Sequence, residues 1–376
     1  MGVSMKRFYV ALVLAVVLFS SVVGVQSVKA SSKTIVVPDD FPTITAAVTN
    51  AAQGDTIFVK KGTYHENLRI DKSIQLIGED RDTTILDGNL SASTGFPLTL
   101  AGYKVPLTIT QDNVTIEDFT LRDSYAGIQL SGNYCKISGN RITNVQYGIV
   151  LSSVSGNSIT GNVIDSVKTN GYGIEVSHAS DNNVKRNQII SASIGIAIID
   201  QLLSPSSVIF SENNNVSENN IADSKEYAIM LQFTSNNILI GNNISNSEIG
   251  TSIYVANNNN FYHNNFIDNT EQVSANEWYA TQWGYSVSTN TWNENYWSDY
   301  NGTDNDKNGL GDTPYVINEK NADNRPLMAE ASISGELPEL IPEFPSWIIL
   351  PLLIAATLFA IGIKKKHLLK GNIRNI

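Results

Sequence analysis

Between Gly139 and Leu151 the sequence reads GNRITNVQYGIVL, and between Gly161 and Val176 the same elements recur as GNVIDSVKTNGYGIEV. The shared unit begins with an asparagine that is followed two positions later by an apolar residue. A variable turn comes next, and then Gly-Ile with a further apolar residue two positions on. Short segments in which apolar residues alternate are typical of strands that place aliphatic side chains inside. The unit therefore predicts short β-strands separated by turns.

The asparagine recurs along much of the chain at a nearly constant interval. The separations are 22, 25, 32, 23 and 22 residues, and the position is occupied by Asn140, Asn162, Asn187, Asn219, Asn242 and Asn264. A repeat of about 22 residues without a helical pattern predicts one coil of a parallel β-solenoid. We expect the asparagines to stack in a ladder in which each amide bonds to its neighbours above and below. The longest interval predicts a loop near residues 204–207.

The Gly-Ile half of the unit predicts what lies inside and outside the solenoid. One buried column is predicted from the isoleucines that share this place, Ile128, Ile149, Ile174 and Ile196. The next residue is predicted to face outward, and it runs Gln129, Val150, Glu175, Ala197, Met230 and Tyr254. A single carboxylate in this row is not the pair that a glycoside hydrolase uses. No catalytic residue is assigned from the sequence.

The residues before the repeat predict a cap. Thr43–Ala52 carries Ile44, Ala47 and Val48 on one helical face, which predicts an amphipathic helix. Such a helix would cover the open end of the solenoid, where the first coil exposes unpaired strand edges. The first coils are predicted from four apolar segments, Thr56–Val59, Leu68–Ile70, Ile74–Ile77 and Thr84–Leu86.

Charge and cysteine content exclude several functions. Lys and Arg total 25 and Asp and Glu total 36, so the net charge is −11. A nucleic-acid partner is therefore not expected, because phosphate binding needs a basic face. The single cysteine, Cys135, excludes an internal disulfide and any cysteine-rich metal site.

Both ends of the chain have the pattern of targeting segments. Residues 1–30 combine Lys6 and Arg7 with an apolar run, which predicts a cleaved signal peptide. Residues 347–363 contain no charge and precede three lysines, which predicts a transmembrane anchor followed by a basic cytoplasmic tail at 364–376. Residues 331–346 are predicted to be a linker. The solenoid at 31–330 would then lie on the extracellular face of the cell membrane, held by a single C-terminal span.

The predicted solenoid has three parts: an N-terminal cap at 35–60, coils at about 56–275, and a C-terminal cap at 276–330 that is rich in aromatic residues, Asp and Asn. The run from Asp304 to Asp312 in this last part predicts a calcium loop. Oxygen-bearing side chains alternate there as in calcium loops, a glycine permits the turn, and one backbone carbonyl completes the set. The predicted ligands are Asp304, Asp306, Asn308, the Leu310 carbonyl and Asp312. A solvated polar turn is the alternative.

Four of the five tryptophans also lie near this cap, at Trp278, Trp283, Trp292 and Trp297. Aromatic rings stack on sugars, so these residues are candidate ligand-binding aromatics. The alternative is that they plug the C-terminal end of the solenoid.

Several motifs carry a family resemblance. The segments Gln53–Val59, Gly62–Glu66 and Leu76–Glu79 resemble the opening of pectin-lyase-like right-handed β-helices. The Asn and Gly-Ile coils, with the closing segments Asn295–Tyr300 and Asp323–Met328, resemble the NosD-type β-helix. The resemblance implies an all-β, right-handed parallel β-helix over about residues 35–330.

The NosD-type family is described as periplasmic and copper-binding, so the resemblance also implies copper. The candidate copper ligands are His65, His178, His263, Cys135, Met230 and Met328, and no two of them share a column of the predicted coils. Copper therefore depends on the family description alone.

Pro342-Glu343-Phe344, placed before the apolar segment and the lysines, resembles the archaeal PEF-type sorting signal. It implies display on the surface of an archaeon, with a sorting protease as partner. Together these features predict a surface-displayed, membrane-tethered protein of binding or structural role, with a polysaccharide or cell-surface glycan as its ligand. A polysaccharide lyase or glycoside hydrolase is one alternative, and metal delivery of the NosD kind is another.

Overall fold

A computed structural model describes residues 32–88, 105–165, 167–200, 211–275 and 287–333. Over these residues the chain winds into a right-handed parallel β-helix of about ten turns. Each turn contributes strands to three faces. We number the faces in chain order, so that the asparagine corner lies between the first face and the second. The predicted all-β solenoid is confirmed.

The first face precedes the asparagine corner and forms a thirteen-stranded sheet. Its strands, in sheet order, are Thr34–Val37, Thr56–Val59, Gln75–Gly78, Thr115–Glu117, Lys136–Ser138, Ser158–Thr160, Asn183–Lys185, Asn215–Ser217, Ile238–Ile240, Asn260–Tyr262, Thr291–Asn293, Asn321–Asp323 and Tyr315–Asn318. All neighbours are parallel except the last pair, which is antiparallel.

The second face follows the asparagine and the third face carries the Gly-Ile segments. The second is built from Gly62–Tyr64, Thr84–Asp87, Val163–Asp165, Gln188–Ile190, Asn220–Ala222, Asn243–Ser245, Asn265–Ile267 and Tyr296–Trp297. The third is built from Leu68–Ile70, Leu107–Ile109, Tyr172–Ser177, Ile194–Ile199, Tyr227–Gln232, Ile249–Tyr254 and Glu271–Ala275. Two long strands, Thr120–Leu130 and Arg141–Ser152, run through both faces. A small separate pair joins Ser211–Glu212 to Thr234–Ser235.

The inside of the solenoid is filled by aliphatic columns. Ile149 pairs in register with Ile128 and Ile174, and Ile174 pairs with Ile196. All four side chains are fully buried, so the predicted column is confirmed.

The N-terminal end is covered by the helix Ile44–Asn50, as predicted. Thr43 caps it by accepting a hydrogen bond from the Ala46 amide, and the Glu66 carboxylate accepts from the amides of Ile44 and Thr45. The apolar side of the helix, including Ile44 and Ala47, is buried against the first coil. One strand was not predicted: Thr34–Val37 precedes the helix and pairs with Thr56–Val59.

Two asparagine ladders run along the corners. In the first, each Nδ2 donates to the Oδ1 of the asparagine one coil further on, from Asn140 through Asn162, Asn187, Asn219, Asn242 and Asn264 to Asn295. In the second, at the corner between the third and first faces, the same bonds link Asn157, Asn182, Asn214, Asn237, Asn259 and Asn290. The sequence analysis did not find the second ladder.

The C-terminal end closes on the strand Asn321–Asp323. The Asp323 carboxylate accepts hydrogen bonds from the amide and the Nδ2 of Asn295 and so ends the first ladder. Asn321 accepts from the Asn290 amide and ends the second. The antiparallel strand Tyr315–Asn318 then covers the edge of the first face.

The predicted register is wrong in one coil of the third face. Met230 pairs with Ser252, whereas the Gly-Ile pattern had placed Tyr254 there. The shift is two residues, because Gly250 and Thr251 occupy the places expected for Ser252 and Ile253. Gly250 fits because a Cβ at this position would lie 2.6 Å from the Gln272 carbonyl oxygen.

The predicted signal peptide, linker, membrane anchor and tail fall on residues 1–30 and 334–376, outside the described ranges apart from the first residues of the linker. Within the described ranges no helix has the length and apolar character needed to cross a membrane. These segments, the domain boundaries and the predicted 204–207 loop stay predictions.

Candidate functional site

A column of tyrosines follows the outer side of the third face. Tyr147 pairs in register with Tyr172, and their ring centroids are 5.3 Å apart. Tyr125 contacts Tyr147 at the same centroid distance, and Tyr227 lies two coils beyond Tyr172 in the same register. All four rings are half-buried, so each combines a packed side with an accessible one. Such rings are suited to stacking against the apolar faces of sugars.

A glycine follows Tyr147 and Tyr172 and lets these coils approach closely, whereas an alanine follows Tyr125 and Tyr227. A Cβ at Gly148 would lie 2.2 Å from the Gly173 carbonyl oxygen, and one at Gly173 would lie 2.6 Å from that of Gly195. Only glycine permits this close approach between coils at the bend that enters the third face. Ile149, one residue further on, is fully buried, while Tyr147 remains half-exposed.

Glu175 lies beside this column in an apolar setting. It pairs in register with Val150 and Ala197, which are both buried although they stand in the outward-facing row. Burial raises the pKa of Glu175 to about 7. Burial, followed by the charge of Glu175, also raises the pKa of Tyr172. Within the described ranges no hydrogen bond or ion pair reaches the Glu175 carboxyl group.

The charged residues of the second face behave differently. Arg122 donates to Asp87 over 3.0 Å, and Arg141 donates to Asp165 over 2.8 Å, in each case between coils. Such exposed or half-exposed pairs are ordinary surface electrostatics that contribute little to stability. Unlike these aspartates, Glu175 has no arginine or lysine partner within the described ranges.

A second polar group ends the third face. Ser177 Oγ lies 3.0 Å from His178 Nδ1, and His178 Nε2 lies 2.9 Å from Asp200 Oδ1 in the next coil. The Asp200 side chain is fully buried, whereas 22% of the His178 side chain is exposed. A hydroxyl group, an imidazole and a buried carboxylate thus lie in contact one after another at the edge of the tyrosine column.

The predicted calcium loop is exposed, and its acidic side chains bond to the loop itself. Asp304 accepts from the amides of Asn308 and Gly309, which lowers its pKa. Asp306 accepts from Asn308 Nδ2, and Asn308 Oδ1 accepts from the Leu310 amide. Asp312 Oδ2 accepts from the amide and Nδ2 of Asn305. Calcium binding at this loop stays a prediction.

The tryptophans of the C-terminal region divide into two groups. Trp292 stacks on Phe261 at a centroid distance of 3.8 Å, and Trp297 stacks on Phe266 at 4.4 Å. Both are buried, so the expectation of ligand contact at Trp292 and Trp297 is corrected to core packing at the end of the solenoid. Trp278 and Trp283 lie outside the described residues.

The candidate copper ligands do not assemble into a site. Cys135 is buried in the second asparagine corner, where its amide donates to Asn157 Oδ1, and burial raises the pKa of its thiol. His178 bonds to Asp200, and His263 bonds to Glu294 over 2.9 Å. Across the described ranges, no three side chains of His, Cys, Asp or Glu come together in a way that could hold a metal ion. The described donor set therefore does not fit copper.

Most of this site was not predicted from the sequence. Tyrosine stands directly before glycine at Tyr147 and Tyr172, and this dipeptide was the available signal for two of the four rings. The pairing of His178 with Asp200 also had a signal, because each residue stands five positions after the glycine of its Gly-Ile segment. The second ladder had a signal as well, since its asparagines precede those of the first by five residues, as Asn157 precedes Asn162.

Comparison with known proteins supports the fold and identifies a family. The sequence profile of the family described as periplasmic copper-binding protein (NosD) matches residues 48–203 and 206–302. No curated protein matches the sequence. Among solved structures, the A-module of the mannuronan C-5 epimerase AlgE6 of Azotobacter vinelandii gives a TM-score of 0.51 at 15% identity, covering 67% of this chain and 81% of that chain.

Two further structures are similar at a lower level. A mannuronic acid specific polysaccharide family 6 lyase from human gut microbiota gives a TM-score of 0.42 at 14% identity, covering 70% of this chain and 64% of that one. The Dettilon tailspike protein gives 0.43 at 15% identity, with coverages of 62% and 54%. At this identity the likeness to solved structures shows the fold alone.

Proposed function

This chain belongs to the NosD family of β-helix proteins, and we propose that it is a surface-displayed, membrane-tethered member that binds an extended glycan along its third face. The observation that carries the proposal is the column of four tyrosines, Tyr125, Tyr147, Tyr172 and Tyr227, on successive or nearly successive coils. Because coils are spaced at about 4.8 Å, a polymer that runs along the axis would meet the rings of Tyr147 and Tyr172 on successive coils and the ring of Tyr227 two coils further on. Copper binding is not part of the proposal, because the described residues do not fit it.

The choice of a glycan follows from the composition of this face. Half-buried tyrosines supply flat apolar surface with a hydroxyl group at the rim, which suits rings that carry both C–H faces and hydroxyl groups. Gln129 and Gln232 add outward-facing hydrogen-bonding groups on the same face. The net charge of −11 argues against a nucleic acid and favours a ligand of low charge. One protein of the same fold, a mannuronan epimerase, is named for a polysaccharide, which supports the glycan class and not the low charge of the ligand.

The cellular setting of the proposal rests on the two ends of the chain. Residues 1–30 would direct secretion, and residues 347–363 with the tail 364–376 would hold the β-helix outside the cell. Pro342-Glu343-Phe344 would mark the chain for an archaeal sorting protease. A calcium ion at Asp304–Asp312 would order the C-terminal cap, because alternating oxygen ligands around a glycine suit that ion.

The glycan proposal is tested by binding. The full-length chain, purified in detergent, is applied to an array of polysaccharides, and the retained ones are measured by affinity electrophoresis. Tyr172→Ala should raise the Kd about two- to tenfold, because one stacked ring is worth about 0.5–1.5 kcal/mol. The matched control is Tyr134→Ala, whose ring is 65% exposed away from the column. Equal losses in the two variants, or retention of no polysaccharide, would overturn the proposal.

The cellular setting is tested by proteolysis of intact cells. Protease added outside should remove the β-helix and leave a tag on the C-terminal tail protected. If a sorting enzyme cuts near Glu343, the tag should already be separated from the β-helix before protease is added. Protection of the β-helix in intact cells would place it in the cytoplasm and contradict the proposal.

A further inference from the structure

The group at the edge of the tyrosine column has the arrangement of a nucleophilic site. Ser177 ends the strand Tyr172–Ser177, His178 follows it, and Asp200 follows the strand Ile194–Ile199 one coil later. The coil therefore brings the aspartate to the histidine across 22 residues of sequence. His178 has positive φ, 51°, at the corner, and its ring lies between the hydroxyl group and the carboxylate.

We assign the ring proton of His178 from its two contacts. A carboxylate can only accept, so the 2.9 Å contact with Asp200 Oδ1 places the proton on His178 Nε2. Nδ1 then has a free lone pair, and the Ser177 hydroxyl group donates to it over 3.0 Å. The same roles are found in serine hydrolases, where a buried carboxylate orients the imidazole and the imidazole activates the hydroxyl group. The order of the two ring nitrogens is reversed here, which leaves the roles unchanged.

We propose that Ser177 and His178 hydrolyse ester-linked acyl groups on the glycan that lies along the third face, with Asp200 as the positioning residue. The inference rests on the proposed function, because the third face brings the substrate to the site. Ser177 lies two residues after Glu175 on one strand, so both side chains emerge on the outer side. An acyl substituent on a sugar held by the tyrosines would meet the Ser177 hydroxyl group at the edge of this face.

The reaction needs only water as a second reactant. Ser177 Oγ attacks the ester carbonyl carbon while its proton passes to His178 Nδ1. The bond between the carbonyl carbon and the sugar oxygen breaks, and that oxygen takes the proton from Nδ1 and leaves as a free hydroxyl group. Water then attacks the acyl-serine and gives its proton to Nδ1, and Ser177 Oγ leaves with that proton as the carboxylic acid is released.

Ester hydrolysis fits the residues better than cleavage of the glycan backbone. Hydrolysis of a glycosidic bond uses two carboxyl groups that flank the bond. Glu175 is one such group on this face, and Asp200 at its edge is fully buried against His178, so it does not face a bound sugar. Removal of an acyl group needs one hydroxyl group and one base, and both are present. An O-acylated neutral sugar also suits a chain of net charge −11.

The first experiment uses a probe that does not depend on glycan binding. The full-length chain is treated with a fluorophosphonate, the labelled residue is identified by mass spectrometry, and hydrolysis of p-nitrophenyl acetate is followed. Label is expected on Ser177, and Ser177→Ala should abolish it. The matched control is Ser152→Ala, because Ser152 pairs in register with Ser177 but is followed by serine instead of histidine. His178→Ala should lower the hydrolysis rate about 10³–10⁴-fold.

The positioning role of Asp200 is tested with a measurement that the loss of a merely structural contact would not change. Asp200→Asn should slow labelling of Ser177 and shift its pH profile, because the amide no longer selects the tautomer with Nδ1 free. A variant that loses only melting temperature and keeps the parent pH profile would reduce Asp200 to a structural contact and overturn its assignment.

The outcomes separate this inference from the proposed function. Glycan binding without labelling or ester hydrolysis would overturn the site and leave the glycan proposal standing. Ester hydrolysis without retention of any polysaccharide would support the site and overturn the glycan proposal. Equal labelling of the Ser177→Ala and Ser152→Ala variants would place the reactivity elsewhere and overturn the site. Release of acetate from an O-acetylated polysaccharide by the parent chain, and not by Ser177→Ala, would support both.

Discussion

The asparagine corners and the outer side of the third face belong to the same coils. They differ in whether one residue type recurs at the same position of every coil. At the first corner, one residue type repeats from Asn140 to Asn295, and each side chain is fully buried. On the outer side of the third face, the residue changes at every coil, through Gln129, Val150, Glu175, Ala197, Met230 and Ser252. A position that repeats is held by its identical neighbours above and below. A position that varies is released from that constraint and can carry chemistry.

Replacing one asparagine of the first ladder should lower the free energy of unfolding more than any other change proposed below. Asn187→Ala deletes the oxygen that accepts from both the amide and the Nδ2 of Asn162. Each stranded buried donor costs about 1–3 kcal/mol, so the free energy of unfolding should fall by about 2–6 kcal/mol. Chemical denaturation measures it. The control Asn220→Ala removes an exposed amide and should change stability by less than about 0.5 kcal/mol. Equal losses would mean that the ladder contributes nothing special.

The aliphatic column gives the next largest effect. Ile149→Ala should cost about 2–5 kcal/mol of unfolding free energy, because it opens a cavity between Ile128 and Ile174. Gln129→Ala, on the outer side of the neighbouring coil, should cost less than about 0.5 kcal/mol. The same denaturation experiment compares them. A loss at Gln129 as large as that at Ile149 would contradict the assigned inside and outside of the third face.

Glu175, on the outer side of the third face, should make the free energy of unfolding depend on pH. Its pKa of about 7 lies above the ordinary value of 4.5, so the folded chain favours the protonated form. Its contribution to stability is fully present below pH 4.5 and is lost as the pH rises through 7. Glu175→Gln should therefore match the parent near pH 4 and exceed it by about 1–3 kcal/mol at pH 8. Thermal unfolding across this range measures the difference. Exposed Glu248→Gln is the control, and a similar pH trend in both variants would remove the special status of Glu175.

The calcium loop gives the smallest expected effect. It tests a region in which no side-chain position recurs from coil to coil. At a free calcium concentration ten times the Kd, binding should add about 1.4 kcal/mol to the stability of the cap. Chelation should lower the melting temperature, and Asp306→Ala should abolish that response. Asp82→Ala, on an exposed turn far along the chain, should leave it intact. If calorimetry detects no binding at millimolar calcium, the loop is only a polar turn.

The same comparison explains what could be predicted from the sequence. The coils, the Ile149 column and the capping helix followed from periodicity, because each depends on residues a fixed distance apart. The register at Ser252 was lost where the motif degrades, and only the close approach at Gly250 restores it. The second ladder repeats as faithfully as the first, but its first position is Cys135, and neighbouring asparagines, such as Asn213 and Asn215 beside Asn214, masked the pattern.

The site was harder to predict because it consists of departures from the repeat. Val150 and Ala197 stand in the outward row and are nevertheless buried, so alternation alone misjudged the setting of Glu175. The contact of His178 with Asp200 joins the same place of two successive coils, but the residue type at this place changes from coil to coil, so no repeated motif pointed to it. The repeat aligns the two positions, and only the three-dimensional arrangement shows the contact of their side chains.

Asp323 gives the first ladder a direction and a terminus. In this ladder each Nδ2 donates one hydrogen toward the C-terminal end, to the next side-chain oxygen, so the amide dipoles align along the axis and reinforce one another. The positive end of this row meets the Asp323 carboxylate, much as an anion meets the start of an α-helix. A carboxylate has no hydrogen to pass on. A second molecule placed at this end would meet the Asp323 carboxylate and no free Nδ2 donor of the first ladder. This one side chain therefore disfavours end-to-end association into fibrils.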